Sequence, residues 1–138
     1  MARPATIKPR ILKSIRQRKN PVLLTRDFNN LGSKRQVLRV LRDLEDENVI
    51  ACIGRGVYAR LAASRFTDQP ILEEPLTMLG RRYLDRIGAQ VRLTPEERAY
   101  MDRRSTQVPT GAVIGTDRRI AKRLTYKNNR GVQFEKVS

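Results

Sequence analysis

Histidine is absent and cysteine occurs once, at Cys52, in a chain of 138 residues. That removes structural zinc sites, imidazole-based triads and disulfide frameworks together, because each needs ligands, bases or thiol pairs the chain lacks. Cys52 lies in an apolar strand with no imidazole to activate it, and reads as a small buried filler. Aromatic residues make up only 5% of the chain, which argues against base-stacking platforms for single strands. No apolar run approaches the roughly 20 residues a membrane helix needs; the longest, Val49 to Ile53, is strand-sized. Met1-Ala2-Arg3-Pro4 leads into a segment of spaced Lys and Arg without the apolar block of a secretory signal, so a cytoplasmic protein without a membrane partner is expected. Glu73-Glu74 and Glu96-Glu97 stand at helix starts, where acids are expected without catalysis. No Gly-rich phosphate loop ending in Lys is present. The expectation is a non-enzyme that needs no cofactor or metal.

What the chain has in excess is positive charge. Lys and Arg number 29 against 14 Asp and Glu, for a net charge of +15, which points to a polyanionic partner. The charge sits at both ends: residues 1–30 carry +7, 31–60 carry +2, 61–93 carry +1 and 94–138 carry +5. Arg supplies 22 of the 29 cations, and its planar fork suits bidentate contacts to phosphate or guanine better than the point charge of Lys. With 39% apolar residues the chain can build a modest core and should fold.

Along the chain, Pro9 can open a first helix with Ile11, Leu12 and Ile15 on one face, stopped by Asn20-Pro21. Val22-Leu23-Leu24 reads as a short strand or buried connector, and Thr25 caps a brief second helix running to Leu31. Ser33 then starts a third helix with a capping box to Gln36. At about 100° per residue, Val37, Val40, Leu41 and Leu44 fall in one stripe, and Arg35, Arg39 and Arg42 cluster opposite. Two strands follow, Val49 to Ile53 and Val57 to Leu61, joined by Gly54-Arg55-Gly56 as a tight hairpin turn. Farther on, a helix is expected from Pro75 to Gly88 and another from Thr94 to about Arg104. Ala112-Val113-Ile114, Leu124-x-Tyr126, the turn Asn128-Asn129-Arg130-Gly131 and Val132-x-Phe134 read as strands ending in a C-terminal hairpin.

Three helices, a turn at Leu31-Gly32-Ser33, then a basic-tipped hairpin form the order of a winged helix-turn-helix, in which the third helix enters the major groove. The expected fold is α+β, with a DNA-binding winged helix-turn-helix over residues 1–64 and a small helical/β C-terminal region over 65–138. Ser33, Lys34, Arg35, Gln36, Arg39 and Arg42 are the candidate readers of bases and phosphates, with Arg55 on the wing and Thr25 at the preceding cap. Lys8, Arg10 and Lys13 on the first helix either track the phosphate backbone or form a solvated flank. Tyr58 is placed either to bond a phosphate or to pack at the wing base. Arg118, Arg119, Lys122, Arg123, Lys127 and Arg130 make a second basic cluster: a phosphate contact, a site for an acidic protein, or the outer face of a small sheet. The third helix opposes its own macrodipole, with Lys34, Arg35 and Arg39 at its start and Asp43, Glu45, Asp46 and Glu47 at its end. That polarity costs stability, roughly 0.3–1 kcal/mol per charge, which a polyanion bound at the amino end would recover.

These residues resemble the winged-helix antitoxin and regulator family of abortive-infection, type IV toxin–antitoxin systems, with its short plasmid and phage relatives. The likeness runs from Leu31-Gly32-Ser33 through Val49-Ile50 to Gly54-Arg55-Gly56-Val57-Tyr58, and returns in Ser105-Thr106-Gln107-Val108-Pro109, covering about residues 10 to 137. It implies an autoregulating repressor that binds operator DNA with Ser33, Lys34, Arg35, Gln36 and Arg39, and Arg55 on the wing, with a homodimer and a cognate toxin as further partners. Asn48 stands where the family usually has Gly, and the extended C-terminal domain of the longer antitoxins has no counterpart here, so the short relatives are the nearer match. The alternatives are a phage or plasmid interaction or inhibitor protein using its basic surface, and an RNA-binding module.

Overall fold

The computed structural model describes residues 4–109, 111–127 and 131–138; the turn residues Asn128, Asn129 and Arg130 lie outside the described residues. Among the described residues the protein is mixed α+β, with four α-helices and two sheets. It divides into two compact units, Met1–Glu73 and Glu74–Ser138.

The first unit opens with α1 (Pro4–Gln17), which begins before the expected Pro9 start and carries Pro9 inside it. The early turn brings Ile7 onto the same stripe as Ile11 and Ile15, and all three are buried. The missing Pro9 amide costs one helical hydrogen bond, while the added turn places Ile7 under Gly32. β1 (Val22–Leu24) follows, with the Val22 amide donating to the Asn20 side chain at 2.9 Å. The expected second helix to Leu31 is instead a single 3₁₀ turn, Thr25–Phe28. Asp27 Oδ2 accepts the Leu24 amide at 2.8 Å, and the amides of Asn29 and Leu31 bond back three residues, to Arg26 and Phe28. That tighter winding buries Phe28 after only one turn.

α2 (Lys34–Asp46) buries Val37, Val40, Leu41 and Leu44, the expected stripe. β2 (Ile50–Gly54) and β3 (Val57–Ala62) form the expected hairpin, with Gly56 at φ 71° in the turn. β3 is central, with β1 and β2 as antiparallel neighbours; the two-residue β4 (Ile71–Leu72) pairs with its far end, so the unit runs on to Glu73. Ile7, Ile11, Ile15, Leu23, Phe28, the α2 stripe, Ile50 and Tyr58 make one core, which places Tyr58 as packing at the hairpin base. Burial raises the Tyr58 hydroxyl above its ordinary pKa. Cys52 corrects the sequence reading: it is exposed, its thiol donating to the Gly54 carbonyl at 3.1 Å, where the strand register shifts between Cys52 and Gly54.

One side chain ties this unit together in a way residue order does not announce. Arg60, 15% exposed, donates from Nη1 to the carbonyls of Ile15 (2.9 Å) and Arg18 at the end of α1, while its Nε pairs with Glu73 Oε2 at 2.9 Å. It therefore caps a helix and holds the last strand's exit at once. Arg60→Met keeps the stem and removes the charged bonds; urea unfolding is expected to show a loss of about 2 kcal/mol at unchanged slope.

In the second unit, α3 (Leu76–Ile87) starts after Pro75 and stops at Gly88 in the left-handed conformation, as expected from the sequence. β5 (Val91–Arg92) leads to α4 (Pro95–Met101), whose Thr94–Glu97 capping box forms but which ends before Arg104. β6 (Val113–Thr116) and β7 (Gln133–Lys136) complete a sheet of order β5-β6-β7. The expected C-terminal hairpin is seen at one pair, where Leu124 and Val132 exchange both backbone hydrogen bonds (3.0 and 2.8 Å) in antiparallel sense, while its turn, Asn128 to Arg130, lies outside the described residues. β6 and β7 run parallel, Val113 opposite Gln133. Residues 117–132 are long enough for the crossover that a parallel pair requires, and they bury Leu124 and Val132. Leu76, Leu79, Tyr83, Leu84 and Ile114 fill the rest of this core, with the Tyr83 and Phe134 rings 5.7 Å apart.

Candidate nucleic-acid interface

The amino end of α2 is built by its capping box. Ser33 Oγ accepts the Gln36 amide at 3.2 Å and Gln36 Oε1 accepts the Ser33 amide at 3.0 Å. Two of the four amides that a helix start leaves over are thereby satisfied. Those of Lys34 and Arg35, at the first two helical positions, have no acceptor among the described residues. Ser33→Ala removes one side of the box and is expected to lower thermal stability by about 1 kcal/mol.

From that end, Arg35, Arg39 and Arg42 run along the face opposite the buried stripe, all exposed. With Gln36, Leu38 and Asp43 they line a shallow groove of roughly 770 Å³. Among the described residues, no carboxylate lies within ion-pair distance of Lys34, Arg35 or Arg39. Leu38, 39% exposed, was not singled out by the sequence reading of this face. The signal was available, since position 38 falls beside the arginine stripe at helical spacing, and an exposed Leu there can meet a thymine methyl.

The helix carries no acid in its first turn and no base in its last, so the charge order that opposes the macrodipole stands in the folded chain. Glu45 is held above its ordinary carboxylate pKa, first by burial and then by Asp46, with Arg42 opposing. Lys8 answers part of that negative charge: its ammonium sits 2.9 Å from Glu47. It is thus engaged at the carboxyl end of α2, away from the arginine groove.

The remaining candidates fall into two further groups. Thr25 and the hairpin turn come together, because the Thr25 amide donates to the Gly56 carbonyl at 3.2 Å and its hydroxyl lies 3.5 Å from the same oxygen. Arg55, beside Gly56, is exposed at that tip. Arg10 and Lys13 are exposed on α1 and border a groove of about 500 Å³ with Ser14, Asp27 and Asn30. Arg18 is half-buried, 5.9 Å from the centre of the Phe28 ring and 3.9 Å from Asp27.

In the second unit, the basic cluster is partly committed to structure. Arg118 donates to the carbonyls of Ile87 and Gly88 at the end of α3, and Lys122 lies 5.7 Å over the Tyr83 ring. Arg119 and Arg123 are exposed, and Arg130 is outside the described residues.

Among the described residues no group of three His, Cys, Asp or Glu could hold a metal ion, and no helix is long and apolar enough to cross a membrane. No family model, curated protein or solved structure matches the chain.

Proposed function

We propose that the first unit is a winged helix-turn-helix that binds double-stranded DNA in a sequence-specific manner, and that the protein is an autoregulating transcriptional repressor of the antitoxin-like kind its sequence resembles. α2 is the reading helix, the β2–β3 hairpin with Arg55 is the wing, and the 3₁₀ turn takes the place of the second helix. The observation that carries this reading is the arginine row of α2. Guanidiniums stand on the outward face of a helix whose opposite face is fully packed, at the end where the helix dipole disfavours them. Side chains arranged against their own helix field are accounted for by an anion that joins them. Arg35 and Arg39 read base edges, the amides of Lys34 and Arg35 receive a phosphate, and Arg55 contacts the backbone.

The test is a titration of labelled duplex carrying the sequence upstream of the protein's own gene, against an unrelated duplex, at several salt concentrations. A preference of about a thousandfold or more for the first is expected. The logarithm of affinity should fall with the logarithm of salt by about 0.9 for each phosphate neutralised. Negligible duplex binding at low salt, or equal affinity for both duplexes, overturns the proposal. Stronger binding to a structured RNA competitor than to either duplex favours the RNA-binding alternative.

A further inference from the structure

The loop between β3 and β4 holds a side chain that folding leaves in water. Phe66 is 93% exposed, yet its loop is locally braced: Ser64 Oγ accepts the amides of Phe66 (3.1 Å) and Thr67 (3.3 Å), and Thr67 Oγ1 accepts the Gln69 amide. Arg65 stands beside it, exposed and with no ion pair among the described residues. Aromatic rings and guanidiniums are both enriched at protein contacts, and here one of each is held outward on a short loop.

The second unit carries the complementary shape. A groove of roughly 580 Å³ runs between α4 and the segment leading into β6, with Ala99, Val108, Pro109 and Val113 as apolar lining and Glu96 and Glu135 beside them. Val108 is 65% exposed. A third carboxylate, Glu97, is already occupied by the Thr94 amide and lies 4.0 Å from Arg81, whereas Glu96 and Glu135 make no ion pair among the described residues. Two unengaged carboxylates beside an open apolar groove match a ligand with one ring and one cation.

We propose that the Arg65-Phe66 tip of one copy of this chain seats in the α4–β6 groove of a second copy, Phe66 against Val108 and Val113 and Arg65 between Glu96 and Glu135. The contact proposed is between molecules, the tip of one copy meeting the groove of another. It joins two different patches, so it is heterologous unless a pair of copies exchanges tips reciprocally. The inference does not rest on DNA binding.

Sedimentation velocity on the full chain without nucleic acid tests it, at about 0.3 M salt, where a screening length of about 6 Å suppresses the repulsion between like-charged copies. Mass is expected to rise with concentration below about 200 μM. Phe66→Ala and Arg65→Glu should each weaken association about tenfold or more, with circular dichroism unchanged because both side chains are exposed. The decisive arm mixes Arg65→Glu chains with chains carrying Glu96→Arg and Glu135→Arg. Neither should self-associate, since tip and groove then share a sign, but the mixture should form heteromers. A monomer up to about 200 μM, self-association indifferent to Phe66→Ala, or a mixture that stays monomeric each overturns the proposal.

Discussion

Replacing Arg35 and Arg39 together with alanine is expected to erase preference for the cognate duplex while making the protein slightly more stable. A bidentate Arg–base contact contributes about 1–3 kcal/mol of discrimination. Losing two should therefore cost at least thirtyfold in affinity for the specific duplex, with little change for an unrelated one beyond a shallower salt slope. Stability moves the other way. Both side chains are exposed and outside the core cluster, alanine is the better helix former, and removing cations from the amino end of α2 relieves an interaction worth roughly 0.3–1 kcal/mol per charge. Anisotropy titrations beside thermal melts would read both. Arg55→Ala serves as the contrast: at the hairpin tip it should weaken binding to both duplexes equally, because a backbone contact carries no sequence information. If the double substitution leaves the preference intact, α2 does not read bases.

That face was legible before any coordinates because a helix advertises itself through periodicity and caps. Ser33 and Gln36, and Thr94 and Glu97, form the boxes their spacing announces, and Val37, Val40, Leu41 and Leu44 are buried as a 3.6-residue repeat requires. What the sequence hid follows from physics at shorter or longer range. Thr25, expected as a cap, is instead the first residue of the 3₁₀ turn, with Leu24 as its N-cap, and a helix start of this kind does not reveal whether the amides that follow bond back three residues or four. Strands of two residues, Ile71–Leu72 and Val91–Arg92, span a single period of the strand pattern, too little for alternation to show. The pairing of β6 with β7 was not read for a different reason: alternation says which residues share a face, but it names neither the partner strand nor its sense, and a parallel pair depends on the length of chain between the strands. Cys52 was misplaced because strand hydrophobicity reports burial only where the register is regular, and at that point it shifts. In the candidate site, the outward arginines could be found by spacing, whereas the engagement of Lys8 by Glu47, 39 residues away, is a product of tertiary packing alone.

The largest stability effect is expected at Gly115, a residue with ordinary negative φ whose need for glycine comes from its neighbours. It lies buried in the central strand of the second sheet, opposite Arg92 on β5 and Glu135 on β7. A β-carbon there would stand 2.3 Å from the Arg92 carbonyl oxygen, 3.1 Å from its carbon and 3.1 Å from Val137. The obstacle is backbone, so no rotamer change relieves it. Nor can β5 easily retreat, because the Gln90 amide is held by Asp117 Oδ1 at 2.9 Å and the Arg92 guanidinium by the Val137 carbonyl at 3.2 Å. The Gln90 bond also holds the Asp117 carboxyl below its ordinary pKa, so this anchor stabilises the fold at neutral pH and is lost as pH falls through the acid range. Gly115→Ala must either compress the strand pair or break β5 from the sheet, at about 3 kcal/mol, which for a unit of this size lowers the melting temperature by about 12 °C or more. Gly88→Ala is the matched control: its φ of 75° strains any side chain, but no atom lies within 4 Å of the added methyl, so only about 1–2 kcal/mol is expected. Should the two variants melt together in calorimetry, the close approach of β5 to β6 is not what requires glycine at 115.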